Sequence, residues 1–98
     1  IGKLFEGGEK FVFTVDFEST PVANPPYTMQ YNATISGGVA PYDFFWDFGD
    51  EEYGRGSGVV HTYTPVTIGN ETTYIVELRV IDSVGISRTA SKLVVVPE

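Results

Sequence analysis

No cysteine occurs among the 98 residues, which excludes disulfides, thiolate metal sites and a cysteine nucleophile and leaves stability to packing. That absence does not fix the compartment, because a disulfide-free domain can work outside the cell. Histidine, methionine and tryptophan occur once each, so any general-base chemistry at neutral pH has a single imidazole to draw on. No run of about eighteen apolar residues is present, and no helical membrane span is expected. Basic residues are few and scattered: six against thirteen acidic ones, for a net charge of −7. A surface of that sign repels phosphate, so nucleic acid is not an expected partner. The chain opens on Ile1 with no charged-then-apolar leader. It reads as a piece of a longer or processed chain whose targeting signals lie elsewhere.

Helix formers are also scarce, with three Leu and four Ala against thirteen Val, ten Thr, seven Phe, six Tyr and six Ile. This balance favours pleated sheet, and no helix is expected. Eleven Gly and six Pro punctuate the chain at the short intervals of strands joined by tight turns. At 42% hydrophobic and 19% charged the chain can bury a core and is not a disordered segment. Residues 1–9, rich in Gly, read as a linker, and residues 10–98 as one domain.

Period-two alternation assigns faces. Phe11, Phe13, Val15 and Phe17 share one side of a first strand. After Pro25-Pro26, the row Tyr27, Met29, Tyr31, Ala33 and Ile35 is backed by the uncharged polar row Thr28, Gln30, Asn32 and Thr34. Gly37-Gly38 and Pro41 lead into an aromatic row, Tyr42, Phe44, Trp46 and Phe48, the heaviest part of the expected core. Residues 49–58 read as a Gly-rich acidic loop, and a short strand follows around Val59 to Tyr63. Tyr74, Val76, Leu78 and Val80 then alternate with Ile75, Glu77, Arg79 and Ile81, and Asp82 to Gly85 turn the chain into a last strand. Its final run, Leu93 to Val96, breaks the alternation and leaves its faces open. About seven short strands of this kind predict an all-β, immunoglobulin-like sandwich.

The segment Tyr42-Asp43-Phe44-Phe45-Trp46-Asp47-Phe48-Gly49-Asp50 resembles the aromatic strand and turn of the polycystic-kidney-disease (PKD) domain family. His61-Thr62-Tyr63 and the strand Tyr74 to Asp82 followed by Gly85 are similar to two further signatures of that family, in the same order. The likeness spans about residues 11–96. It departs in two places: Glu51 stands where the family's turn usually has Gly, and the loop 64–73 is long. The resemblance implies a seven-stranded, non-catalytic module of the kind found in surface-layer proteins, adhesins, membrane glycoproteins and secreted hydrolases, hence an extracellular or cell-surface setting. It implies no particular ligand.

Most signature residues have a folding role to fill. Trp46 is the expected central core ring, Gly49 the residue that takes a backbone angle closed to side chains, and Asp50 the acceptor for turn amides; Asp47 belongs to the same motif. His61 is expected as a hydrogen-bonded structural histidine, and Tyr63 as a brace by analogy with the tyrosine corner of related sandwiches.

Catalysis is poorly served. Paired carboxylates for glycoside hydrolysis stand roughly 5–9.5 Å apart, whereas Asp43 and Asp47, four residues apart on one face of a strand, are separated by about 13 Å. The chain is therefore read as no enzyme. Asp47, Asp50, Glu51 and Glu52 are the candidate ligands if a cation is held, and calcium is the cation that oxygen donors on a flexible loop suit. No other cofactor is expected. Two Asn-x-Thr sequons, at Asn32 and Asn70, mark candidate N-glycosylation sites. Phe45, Ile75 and Ile81 point away from the core and form a candidate packing patch for neighbouring domains or other surface proteins; the competing reading makes them cross-strand pairs that steady their own sheet. The functional expectation is a spacer and adhesion module of a larger secreted or surface protein. Its alternative is a polysaccharide- or collagen-binding accessory to a secreted hydrolase, with Tyr53 or Phe45 as a stacking platform.

Overall fold

The alternating apolar rows pair into two antiparallel sheets in the computed structural model, which describes residues 12–23, 27–64 and 71–96. Residues 1–11, including the expected linker and Phe11, lie outside the described residues, as do Pro25-Pro26 and Asn70. The strands are β1 (Thr14–Ala23), β2 (Tyr27–Ser36), β3 (Asp43–Asp47), β4 (Tyr53–Arg55), β5 (Gly58–Tyr63), β6 (Thr72–Ile81) and β7 (Ser87–Val96). One sheet has the order β1-β2-β5 and the other β4-β3-β6-β7. Among the described residues there is no helix. This is the expected sandwich, its inner faces carrying the apolar member of each alternating pair.

Trp46, Phe17, Tyr31, Tyr63, Val76, Leu78 and Val80 are almost wholly removed from water. The rings interlock: Phe17 meets the indole edge-on with centroids 5.2 Å apart, and Tyr31 lies 5.7 Å from both Trp46 and Phe48. Each ring removes roughly 150–250 Å² from water, so this cluster dominates the hydrophobic contribution to folding. Val94 and Val96 point inward while Leu93 and Val95 are exposed, which restores the alternation that the run of four apolar residues conceals. Lys92 reaches from β7 to β1, where its Nζ donates to the Phe17 carbonyl at 2.5 Å and approaches Asp16 at 3.2 Å. The two sheets are thereby tied at their β1 and β7 edges.

The segment expected as one loop, 49–58, contains strand β4. Its inward position is Gly54, where a Cβ would come within 3.0 Å of the Phe48 ring. A neighbouring ring fills the place of the inward side chain, so the strand shows no apolar alternation. β1 also runs on past Phe17 to Ala23, pairing with β2 through Met29 and Thr28. Its last six residues are exposed, and backbone pairing rather than burial holds them.

Candidate functional site

The acidic turn between β3 and β4 is organised by its own side chains. Asp47 Oδ1 accepts the Gly49 amide at 2.9 Å, Asp50 Oδ1 accepts the Glu52 amide at 3.2 Å, and the Phe48 amide bonds the Glu52 carbonyl. Gly49 takes φ of 86° where an added Cβ would lie 2.6 Å from the Ile75 carbonyl oxygen, so both conformation and space demand glycine. Glu51 adopts φ of 70°, a left-handed conformation that costs a side chain energy. That is the position where the resemblance expects Gly.

His61, on β5 in the opposite sheet, reaches this turn. Its Nε2–H donates to Asp50 Oδ2 at 2.7 Å, and its ring stacks on Phe48 with centroids 4.0 Å apart. The His61 and Asp50 side chains are 8% and 18% exposed, so this charge-assisted bond is shielded and links the two sheets. Tyr63 makes the second link. It donates its hydroxyl proton to the Phe48 carbonyl at 3.2 Å, and with that proton committed it accepts from Tyr31 at 2.7 Å. Burial pushes the Tyr31 phenol up to about 12 and raises that of Tyr63 further. The Tyr63 hydroxyl thus reaches across to the other sheet's turn, whereas a tyrosine corner bonds backbone a few residues upstream. The Trp46 indole N–H donates to the Gly56 carbonyl at 2.7 Å and anchors the β4–β5 loop.

Of the four acidic residues expected as cation ligands, Asp50 has both carboxylate oxygens engaged by Glu52 and His61, while Glu51 and Glu52 point to solvent. Among the described residues no three His, Asp or Glu side chains converge as a cation site requires. Asn32 is exposed at the centre of the β1-β2-β5 sheet, paired with Glu18 and Gly58, with Thr34 exposed beside it.

The outer face of the four-stranded sheet differs from the expected patch. Ile75 is 62% exposed, but Phe45 and Ile81 are half-buried. Arg55 and Arg79, register partners of Phe45 on either side, lay their guanidinium carbons 4.5 and 5.8 Å from its ring centroid, in cation–π contact. Ile81 stands diagonal to Phe45, whereas Ile75 lies two outward positions beyond Arg79 along β6 and pairs with exposed Leu93. The three residues therefore form two separate apolar spots with a charged band between them. Glu77 and Arg79 of that band are already placed between Ile75 and Ile81 by the alternation of β6, whereas the position of Arg55 beside Phe45 arises from strand register.

Asp82 is a residue whose role the sequence reading missed. It is 5% exposed, accepts the Val84 and Ile86 amides at Oδ1 and the Val39 amide at Oδ2, and so joins the β6–β7 turn to the β2–β3 loop. The Asp-Ser-Val-Gly turn signals the first pair of bonds and not the third.

A family model of the PKD domain matches residues 12–96. Among solved structures, the PKD1 domain of the Vibrio cholerae metalloprotease PrtV is 22% identical, with a TM-score of 0.69 over 86% of this chain and 95% of that one. The PKD1 domain of Vibrio anguillarum Epp is 17% identical, with a TM-score of 0.70 over 88% and 94%. At these identities the likeness concerns the fold. A search among curated proteins finds no match. The signature turn, the cross-sheet ties and the match along nearly the whole described length agree: the chain belongs to the PKD domain family, an immunoglobulin-like β-sandwich.

Proposed function

We propose that this domain is a non-catalytic extracellular module that holds its neighbours apart and makes contacts through a sheet face. The observation that carries this reading is how the reactive side chains are used. The one imidazole and its carboxylate partner are bound to each other and stacked on Phe48, the buried hydroxyls of Tyr31 and Tyr63 bond each other and Phe48, and aromatic rings fill the centre. These groups support the fold and leave the outer sheet faces as the available surface. The similar PKD1 domain of a bacterial metalloprotease supports an accessory role, as does the acidic surface, which discourages nonspecific sticking. The test replaces residues 12–96 of the full chain by an unrelated β-sandwich of equal length. Attachment to cells or matrix is expected to be lost while folding and export of the rest persist; turnover of a substrate by the domain itself would overturn the reading.

Tyr53, 72% exposed beside Arg55 on edge strand β4, favours a second reading as a polymer-binding accessory. Co-sedimentation with insoluble polysaccharide or collagen, abolished by Tyr53→Ala, would support it. Asn32 is proposed as an N-glycan acceptor on the strength of its exposed sequon on the polar sheet. An Asn32→Gln variant exported through a glycosylating host would lose one endoglycosidase-sensitive mobility shift.

A further inference from the structure

The outward residues of β6 begin with Thr73 and continue as Ile75, Glu77, Arg79 and Ile81; the last four form the series of interest. Reversed, this series is complementary to itself: Ile meets Ile, and Glu meets Arg. The flanking strands extend the pattern into rows. Arg55, Phe45 and Arg79 form one row across β4, β3 and β6, and Tyr53, Asp47 and Glu77 form the adjacent row. One row thus holds two cations and a ring, the other two carboxylates and a ring. Among the described residues no hydrogen bond or ion pair engages the side chains of Arg55, Arg79 and Glu77, and both guanidinium groups lie over the Phe45 ring. The whole chain carries only six basic residues, so two of them flanking one ring on one face of an acidic protein are a concentrated feature.

Building on the interaction role proposed above, we propose that this face binds a second copy of the chain, related by a two-fold axis running across the strands between Glu77 and Arg79. A two-fold interface brings each patch against itself, so residue i meets j and j meets i. Arg79 then faces the Glu77 carboxylate of the second copy, the second copy's Asp47 sits between Arg55 and Arg79, and Ile81 meets its Ile75. Twisted sheets packed face to face touch most closely at their centre, which is where β3 and β6 lie. The net charge of −7 on each copy opposes approach in any orientation that does not pair the rows. Four strands at about 4.8 Å and the span from Ile75 to Ile81 outline a face of about 20 by 20 Å. At about 400 Å² per copy that is below the standard interface size, so the contact is a weak one to be sought at up to about millimolar concentration. Because the axis crosses the strands, the two copies run in opposite directions, as a contact between chains projecting from facing surfaces requires.

Sedimentation equilibrium of the 98-residue chain tests this with Glu77→Arg and Arg79→Glu, each at an exposed position. Wild type is expected to shift toward dimer mass as concentration rises. Each single variant, with unchanged far-UV spectrum and a cooperative unfolding transition, associates at least about tenfold more weakly because like charges then face each other. A one-to-one mixture of the two variants recovers association close to that of wild type, since one copy then presents two guanidinium groups at these positions and the other two carboxylates. A wild type monomeric at about 1 mM, single variants that associate as wild type does, or a mixture that fails to recover would each overturn the proposal. Attachment by the full chain that survives in the Glu77→Arg variant would sink the self-association and leave the interaction role standing; its loss only on replacing the whole domain separates the two.

Discussion

The bond between Asp50 and His61 is the sharpest test of the idea that the signature residues hold the fold together. Asp50→Ala removes a shielded charge-assisted bond of 2.7 Å and a more exposed one of 3.2 Å to the Glu52 amide. The first contributes about 1.5–3 kcal/mol and the second, open to water, little. In a domain of this length 1 kcal/mol moves the midpoint by roughly 4–8 °C, so Asp50→Ala is expected to lower Tm by about 6–24 °C. His61→Phe keeps a ring against Phe48 while deleting the bond. In a double-mutant cycle the two substitutions should therefore be coupled by about 1.5–3 kcal/mol. Urea unfolding followed by Trp46 fluorescence measures this, with an unchanged m-value confirming that the folded state stays as compact. A coupling below about 0.5 kcal/mol would refute the tie, and so would variants that keep full stability yet lose attachment.

Three further outcomes follow from the same turn and core. Glu51→Gly relieves the left-handed backbone at φ of 70°; the relief of about 1–2 kcal/mol less the added chain entropy of glycine leaves a net stabilisation of about 0.5–1 kcal/mol, readable as a higher midpoint by calorimetry. Tyr63→Phe deprives Tyr31 of its acceptor and the Phe48 carbonyl of its donor, and is expected to cost about 1–3 kcal/mol in denaturant unfolding. Because burial raises the Tyr31 phenol from 10.0 to about 12 in the folded chain, the unfolded state releases its proton first as pH rises. The stability it contributes is full below about pH 10 and is lost between about pH 10 and 12; an unfolding midpoint that does not fall over that window would contradict this burial.

Sequence alternation revealed the strands whose inward rows are apolar and centred on large hydrophobes: Phe13 and Phe17, Met29 and Tyr31, Tyr74, Val76, Leu78 and Val80. It missed β4, whose inward position is a glycine roofed by Phe48, and the exposed half of β1, held by pairing alone. The signature residues showed their local roles, as with Gly49 and Asp50, since turn chemistry depends on near neighbours. The longer reach of His61 to Asp50 and of Asp82 to Val39 depends on how two sheets pack and left no periodic trace. The outer face was legible only in part for the same reason: which residues flank Phe45 is set by register, and Arg55 and Arg79 lie 10 and 34 positions beyond it in the chain.

Aromatic packing seals the middle of the sandwich, and the proposed contacts fall to its outer faces. Trp46 is the chain's one tryptophan and is 1% exposed, so its fluorescence reports on that seal without ambiguity. Emission from the native chain is expected to be blue-shifted and barely quenched by acrylamide, becoming red-shifted and freely quenched only with global unfolding. Emission of the native chain that is already water-like, or quenched as readily as that of the unfolded chain, would place solvent beside the indole and contradict the seal.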